Sequence, residues 1–158
     1  MAEPKDHPHV IAFPPLIFLG AQVLSWGLGI VMPWQWLPPA FSTLALAFGV
    51  TDCLLAAFIA LSAVAAFKRA GTHVEPHKPA LVLVEDGPYR FTRNPMYVGL
   101  LLMHVGFSFI FSLDWGLIVL PLFWFVLHKG VVLREEAYLL NKFGQPYADF
   151  LTRTRRWL

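Results

Sequence analysis

The sequence has little charge and a single cysteine. Charged residues make up 14% of its 158 residues, against about 25% in an ordinary soluble domain. Cys53 has no second cysteine to pair with, which excludes an internal disulfide. The chain also lacks a glycine-rich phosphate loop and a nucleic-acid-binding motif, so we expect no nucleic-acid partner. What it has in abundance is apolar sequence, because 57% of its residues are hydrophobic and its mean hydropathy is +0.58.

Four apolar segments have the length of a membrane-spanning helix, which needs roughly 20 residues. They lie at about 11–32, 40–67, 96–112 and 115–133. Backbone polar groups in lipid must be hydrogen-bonded within the protein, so we expect all four spans to be helices. The polar residues 134–158 predict an amphipathic helical tail on the membrane surface. The N-terminus shows no small-residue cleavage site, so we expect the first segment to be retained.

The basic residues predict the orientation of these spans. With four spans, all 12 lysines and arginines fall on one side of the membrane, and the connectors on the other side have none. The positive-inside rule then places both termini and the 68–95 loop in the cytoplasm. We therefore predict an all-α, polytopic membrane protein with about four transmembrane helices and a helical cytoplasmic C-terminal tail. Residues 1–158 would form a single domain.

Two polar clusters flank the last two spans. The first consists of Gly87-Pro88-Tyr89, Arg93-Asn94-Pro95, Tyr97 and Gly99, and the second is Glu135-Glu136. A two-residue turn joins these spans, which makes them an antiparallel hairpin, so their far ends should be neighbours at the cytoplasmic surface. Clusters that lie about 40 residues apart in the sequence are thus predicted to form one site.

The chemistry of these clusters suits a ligand with several different groups. Adjacent carboxylates repel each other unless a ligand supplies a cation or hydroxyl donors. Arg93 and Asn94 offer donors to an anion, and Tyr89 and Tyr97 offer aromatic faces to a flat ring or a cation. S-adenosylmethionine has an amine, a carboxylate, a ribose diol, an adenine and a sulfonium, which match these groups. An ion pair of Arg93 with either glutamate, which would only close the hairpin, explains the same residues equally well.

Two strings resemble the membrane methyltransferase superfamily, which includes isoprenylcysteine carboxyl methyltransferases and phospholipid N-methyltransferases. They are LVEDGPYRFTRNPMYVG (83–99) and, after the hairpin, REEAYLLNKFGQPYADF (134–150). The matching residues are Gly87, Tyr89, Arg93, Pro95, Tyr97 and Gly99, then Glu135, Glu136, Phe143, Gly144 and Tyr147. The resemblance covers residues 80–150, and Asn94 stands where the isoprenylcysteine enzymes usually have histidine.

The resemblance implies an enzyme that uses S-adenosylmethionine, is similar to isoprenylcysteine carboxyl methyltransferases and acts on a lipid or lipidated acceptor. Together with the chemistry of the two clusters, it leads us to expect cofactor-binding roles for Tyr89, Arg93, Asn94, Pro95, Tyr97, Gly99, Glu135 and Glu136, and catalytic roles for Arg93, Asn94 and Glu136. The acceptor stays open between a prenylcysteine carboxylate, a phospholipid amine and a small thiol, and the bacterial inner membrane is favoured. The rival interpretation is a non-enzymatic scaffold or small transporter subunit, which predicts a symmetric dimer face at Gly99 and Gly106.

Other polar residues are weaker candidates. Asp52 and His104 lie inside the second and third spans, where an ionisable group is a functional candidate, although each also suits structural pairing. His73, Glu75 and His77 have the chemistry of metal ligands. A proline within that stretch breaks helical ligand spacing, so we expect no metal site there.

Overall fold

The computed structural model describes residues 7–75 and 78–158, and its regular structure there is helical. The first four helices are α1 (Pro14–Val31), α2 (Thr43–Ala70), α3 (Pro95–Ile110) and α4 (Asp114–Leu127). A π-helical turn (His128–Val132) continues α4 into α5 (Leu133–Phe143), and α6 spans Gln145–Arg153. A short 3₁₀ turn at Gly87–Arg90 precedes α3.

Among the described residues, three helices are long and apolar enough to cross a membrane: α1, α2 and the continuous helix Asp114–Phe143. α3 is apolar but has only 16 residues, which at about 1.5 Å per residue falls short of a hydrocarbon core of roughly 30 Å. The prediction of an all-α, polytopic membrane protein is confirmed. The predicted span at 115–133 does not end in a break, because the helix runs on through the π turn and carries Glu135 and Glu136.

α1, α3 and α4 pack around one apolar core. Phe123 and Leu127 of α4 are buried against Ala21 of α1, and Tyr97 and Leu100 of α3 pack against the same cluster. This core holds the hairpin of α3 and α4 closed, so the first turn of α3 and the first turn of α5 lie side by side.

α2 packs on α3 through small residues. A Cβ added at Gly106 would lie 2.6 Å from the Cys53 sulfur and 2.8 Å from the Gly49 carbonyl oxygen. A Cβ added at Gly99 would lie 3.1 Å from the Ala56 carbonyl oxygen. Small residues allow this close approach of two membrane helices. Gly99 and Gly106 therefore face α2, and the dimer face that the non-enzymatic interpretation needs is covered within the chain.

The C-terminal tail folds back onto the protein. Gly144, with a φ of +60°, separates α5 from α6, and such a backbone favours glycine. Tyr147 and Phe150 of α6 are buried against Ala63 and Ala66 near the end of α2. The expectation that the apolar face of the tail lies on the membrane therefore changes, because this face covers the alanine-rich end of α2 instead.

Candidate functional site

A cavity lies where the first turns of α3 and α5 meet α6 and the end of α2. Its empty volume is about 860 Å³ when the open mouth and the solvent in it are included. Six of the eight predicted cofactor-binding residues line it: Tyr89, Arg93, Asn94, Tyr97, Glu135 and Glu136. The hairpin thus brings the two polar clusters together at one cavity.

Glu136 lies between two arginines in the cavity wall. Its Oε1 accepts hydrogen bonds from Arg93 Nη2 at 3.0 Å and Nε at 3.2 Å, and its Oε2 accepts one from Arg156 Nη2 at 2.8 Å. The Glu136 and Arg93 side chains are only 11% and 8% exposed, so charge-assisted hydrogen bonds must offset their desolvation. The ion pair that the sequence left open as a purely structural alternative therefore exists, and it uses Glu136.

Arg93 and Asn94 hold the C-terminal tail. Arg93 Nη1 donates to two backbone carbonyl oxygens of the tail, that of Leu151 at 3.0 Å and that of Thr154. Asn94 Nδ2 donates to the Arg156 carbonyl oxygen at 2.9 Å. These bonds fix the backbone around Arg156 and so bring its guanidinium to Glu136.

Glu135 has a different environment from its neighbour. It accepts a hydrogen bond from the Tyr97 hydroxyl at 2.7 Å, and no cation among the described residues forms an ion pair with it. Because Glu135 lines the cavity, its carboxylate can meet a ligand that brings hydrogen-bond donors or positive charge. Two adjacent glutamates thus differ in what they can do, since only Glu135 lacks a guanidinium partner.

The remaining wall of the cavity is mostly aromatic. Phe67 and Tyr89 lie ring to ring with centroids 5.3 Å apart, and the Tyr147 and Phe150 rings lie 6.0 Å apart. Burial raises the pKa of the Tyr89 phenol, and the charge of Glu135 adds to the shift. Tyr89 therefore stays neutral at physiological pH, and this wall suits an uncharged planar ring.

Pro95 and Gly99 are not in the cavity lining, which changes the roles expected for them. Pro95 is buried as the first residue of α3, where the N–H that proline lacks is not needed. Gly99 lies two residues after Tyr97, and at about 100° per residue this turns it to the opposite face of the helix. There it packs on Ala56. We therefore assign both residues to backbone geometry and packing.

The weaker candidates lie elsewhere. His104 is fully buried beside Phe18 and Phe123, and its Nε2 pairs with a backbone carbonyl of α4 at 2.9 Å. Asp52 is half-buried on α2, outside the cavity lining. No group of three or more His, Cys, Asp or Glu among residues 7–75 and 78–158 is arranged to hold a metal ion. His77 lies outside the described residues.

Arg156 is the main site residue that sequence reasoning missed. Residues 145–158 hold three arginines against one acidic residue, an excess that also suits a topology signal or a membrane-surface segment. This excess was the only available signal, because no motif spacing links Arg156 to Glu136, 20 residues earlier. Pro8 was missed as well, and it lines the cavity from the segment before α1.

Comparisons with known proteins cover most of this architecture. A family model described as phospholipid methyltransferase matches residues 44–146. An uncharacterized protein of Haemophilus influenzae is 38% identical over 66 residues, which are 40% of this chain and 100% of that protein. No solved structure matches the chain. The range matched by the family model includes α3 to α5, and with them both polar clusters, but it ends before Arg156.

Proposed function

The chain belongs to the phospholipid methyltransferase family, and from this premise we propose that it transfers a methyl group from S-adenosylmethionine to a lipid or lipidated acceptor in the membrane. The observation that supports this most is the cavity in which Glu135 presents a carboxylate that no cation of residues 7–75 and 78–158 pairs with, beside Tyr97 and an aromatic wall. A ligand with an amine or hydroxyls on one part and a planar ring on another fits such a site.

In this proposal Glu135 accepts hydrogen bonds from the amine or the ribose hydroxyls of the cofactor. Tyr89 and Tyr97 border its adenosyl part, and the neutral Tyr89 phenol leaves that side of the cavity uncharged. The cofactor, when bound, supplies an electrophilic methyl group. The main task of the protein is then to align the acceptor with it and to exclude water from the cavity.

The other polar residues of the two clusters act on the site indirectly. Arg93 and Glu136, expected from the sequence to be catalytic, are bound to each other and to the tail. Asn94, also expected to be catalytic, donates its amide to the tail backbone. We propose that these three are positioning residues, which hold α5 and the tail so that Glu135 stays in the cavity wall.

The environment of Glu135 favours an amine as the acceptor. An amine must lose a proton before or during attack, and Glu135 is the glutamate of the pair that no guanidinium occupies, so it can act as the base. A carboxylate acceptor needs no base, but it would approach the negative charge of Glu135. We therefore propose a phospholipid amine first. A prenylcysteine carboxylate is second, on the strength of the resemblance at residues 83–99.

We propose that the cavity opens to the cytoplasm, with both termini and the 68–95 loop on that side of a bacterial inner membrane. α3 is short, but it pairs with α4 as a hairpin, and a bilayer can thin around a short helix. With α3 as the fourth crossing, all 12 basic residues fall on one side, which the positive-inside rule places in the cytoplasm. A cavity built from residues of that same side would be open to a water-soluble cofactor, while the acceptor would arrive through the bilayer.

Calorimetry of the purified protein with S-adenosylhomocysteine tests the cofactor site. We expect wild type to bind, and Glu135→Gln and Tyr97→Phe to bind about tenfold more weakly, the scale of losing a hydrogen bond to a charged group. Glu85→Gln is the matched control, because Glu85 pairs with Arg153 at the surface and does not line the cavity. Folded wild-type protein that gives no binding would overturn the proposal.

Transfer of labelled methyl from the cofactor then identifies the acceptor. Vesicles that contain phosphatidylethanolamine are compared with farnesylcysteine in the same detergent and at the same concentration. Label in the phospholipid supports the amine acceptor, and label in farnesylcysteine alone supports the carboxylate. Glu135→Gln should abolish transfer to the amine more completely than it weakens cofactor binding, because only the amine needs the base.

A further inference from the structure

The segment before α1 crosses the π turn and reaches the cavity. Residues 7–11, here called the N-terminal strap, are attached at two points. The Ile11 backbone N–H donates to the Gly130 carbonyl oxygen at 3.1 Å, and Arg134 Nη1 donates to the His9 carbonyl oxygen at 2.7 Å. Pro8 is buried and lines the cavity. The strap therefore joins the cavity wall to the helix that carries Glu135.

Gly130 is where the backbone of the strap meets the backbone of this helix. A Cβ added there would lie 2.2 Å from Ile11 Cδ1 and 2.6 Å from Ile11 Cγ1, so a larger residue has to displace the Ile11 side chain. Val10, the neighbour of Ile11, packs against the cluster that includes Val131. The glycine thus leaves room for the Ile11 side chain beside the backbone hydrogen bond from Ile11 to Gly130, and a bulky side chain there would compete with Ile11 for this space.

The contact with the strap falls within the π turn of the helix. Gly130 lies within His128–Val132, and single π turns inside α-helices are frequent at functional sites. The turn interrupts the regular hydrogen-bond ladder of the helix, and the Gly130 carbonyl accepts a bond from outside the helix. Glu135 follows on the same continuous helix, so one structural element fixes both the carboxylate and the strap.

We propose that Gly130 is a positioning residue of the cofactor site, an inference that rests on the proposed function. Gly130 holds the N-terminal strap in place so that Pro8 completes the cavity wall. A bound adenosyl nucleoside then dissociates more slowly. Neither Gly130 nor Ile11 contacts the reacting atoms in this arrangement. Their effect is on how long the ligand stays, and it acts through the position of Pro8.

Two variants detach the strap in different ways. Gly130→Leu places a side chain where Ile11 now lies, and Arg134→Met removes the donor to the His9 carbonyl without shortening the side chain much. Gly27→Leu in α1 is the matched control, because an added Cβ there meets nothing within 4 Å. The readouts are the affinity and dissociation rate of S-adenosylhomocysteine for the full-length protein, and hydrogen–deuterium exchange of the strap amides.

We expect both strap variants to bind S-adenosylhomocysteine about tenfold more weakly, the scale of losing the bonds that seat the strap, and mainly through faster dissociation. The Ile11 amide should exchange slowly in wild type and in Gly27→Leu, and fast in Gly130→Leu. If Gly130→Leu does not fold, Arg134→Met decides the question by the same two readouts.

The outcomes separate this inference from the proposed function. If wild type binds S-adenosylhomocysteine, and the strap variants release it no faster than Gly27→Leu although the Ile11 amide exchanges freely, the role of the strap is overturned while the function stands. If wild type does not bind the nucleoside at all, the proposed function fails first, and the role of the strap at a cofactor site is overturned with it.

Discussion

Arg156→Met probes how the C-terminal tail supports the site. The change removes a guanidinium that donates to both oxygens of Glu136 at 2.8–3.1 Å, and it keeps most of the apolar stem. Glu136 retains Arg93, so the cost of about 3–5 kcal/mol for breaking a buried pair completely does not apply. The Arg156 side chain is 39% exposed, so water screens its charge, and we expect a loss of about 1–2 kcal/mol of stability.

Thermal unfolding in one detergent at one scan rate measures this loss, because membrane proteins of this kind often unfold irreversibly. For a chain of this size the expected decrease in Tm is about 2–8 °C. Arg155→Met is the matched control, since Arg155 is exposed and its guanidinium has no partner among the described residues. In a Glu136→Gln background, Arg156→Met should cost less. Equal Tm values for Arg156→Met and Arg155→Met would refute the reasoning.

Three further predictions concern packing, pH and orientation. Gly106→Ala puts a methyl group 2.6 Å from a sulfur atom of α2 and should cost about 1–3 kcal/mol in thermal unfolding. Gly27→Ala meets nothing within 4 Å and should not. The pKa of the Tyr89 phenol is raised in the folded protein, so the unfolded chain loses this proton at a lower pH than the folded one. The free energy of unfolding should therefore be unaffected by Tyr89 below about pH 10 and decrease as the pH rises above it. Tyr89→Phe should make this decrease smaller in unfolding curves measured over a series of pH values. With the native cysteine replaced, a membrane-impermeant thiol reagent on the cytoplasmic side should label Lys142→Cys but not Gln35→Cys, and the reverse pattern would contradict the orientation.

Hydropathy and turn length were sufficient to predict the helices and the hairpin, because a bilayer leaves the backbone few alternatives to a helix. The predicted third span began at residue 96, and α3 begins at Pro95. The fourth span was harder to predict, because the turn His128–Val132 that extends it into α5 has no local sequence signature. A glycine is needed at position 130 because the Ile11 side chain packs there. Ile11 lies more than 100 positions earlier in the sequence, so this contact could not be predicted from the residues around Gly130.

Topology was sufficient to predict that the two polar clusters meet, but the hydrogen-bond partners of the individual side chains could not be predicted, because their donor groups suit several acceptors. A guanidinium such as Arg93 serves a ligand carboxylate and a backbone carbonyl equally well, and only the return of the tail to the start of α3 shows that it serves carbonyls and Glu136. Adjacent residues of a helix also point about 100° apart. Glu136 therefore faces the arginines while Glu135 faces Tyr97.

The different partners of Glu135 and Glu136 have an electrostatic consequence for the cavity. Arg93 and Arg156 are both committed to Glu136, so the guanidiniums nearest the cavity do not neutralise Glu135. A negative group left uncompensated at the edge of a membrane is unfavourable unless a ligand brings positive charge, and S-adenosylmethionine brings an amine and a sulfonium. Its demethylated product lacks the sulfonium charge. If the Glu135 carboxylate attracts the sulfonium, Glu135→Gln should weaken binding of S-adenosylmethionine more than binding of S-adenosylhomocysteine. Measuring both affinities for wild type and the variant tests this directly.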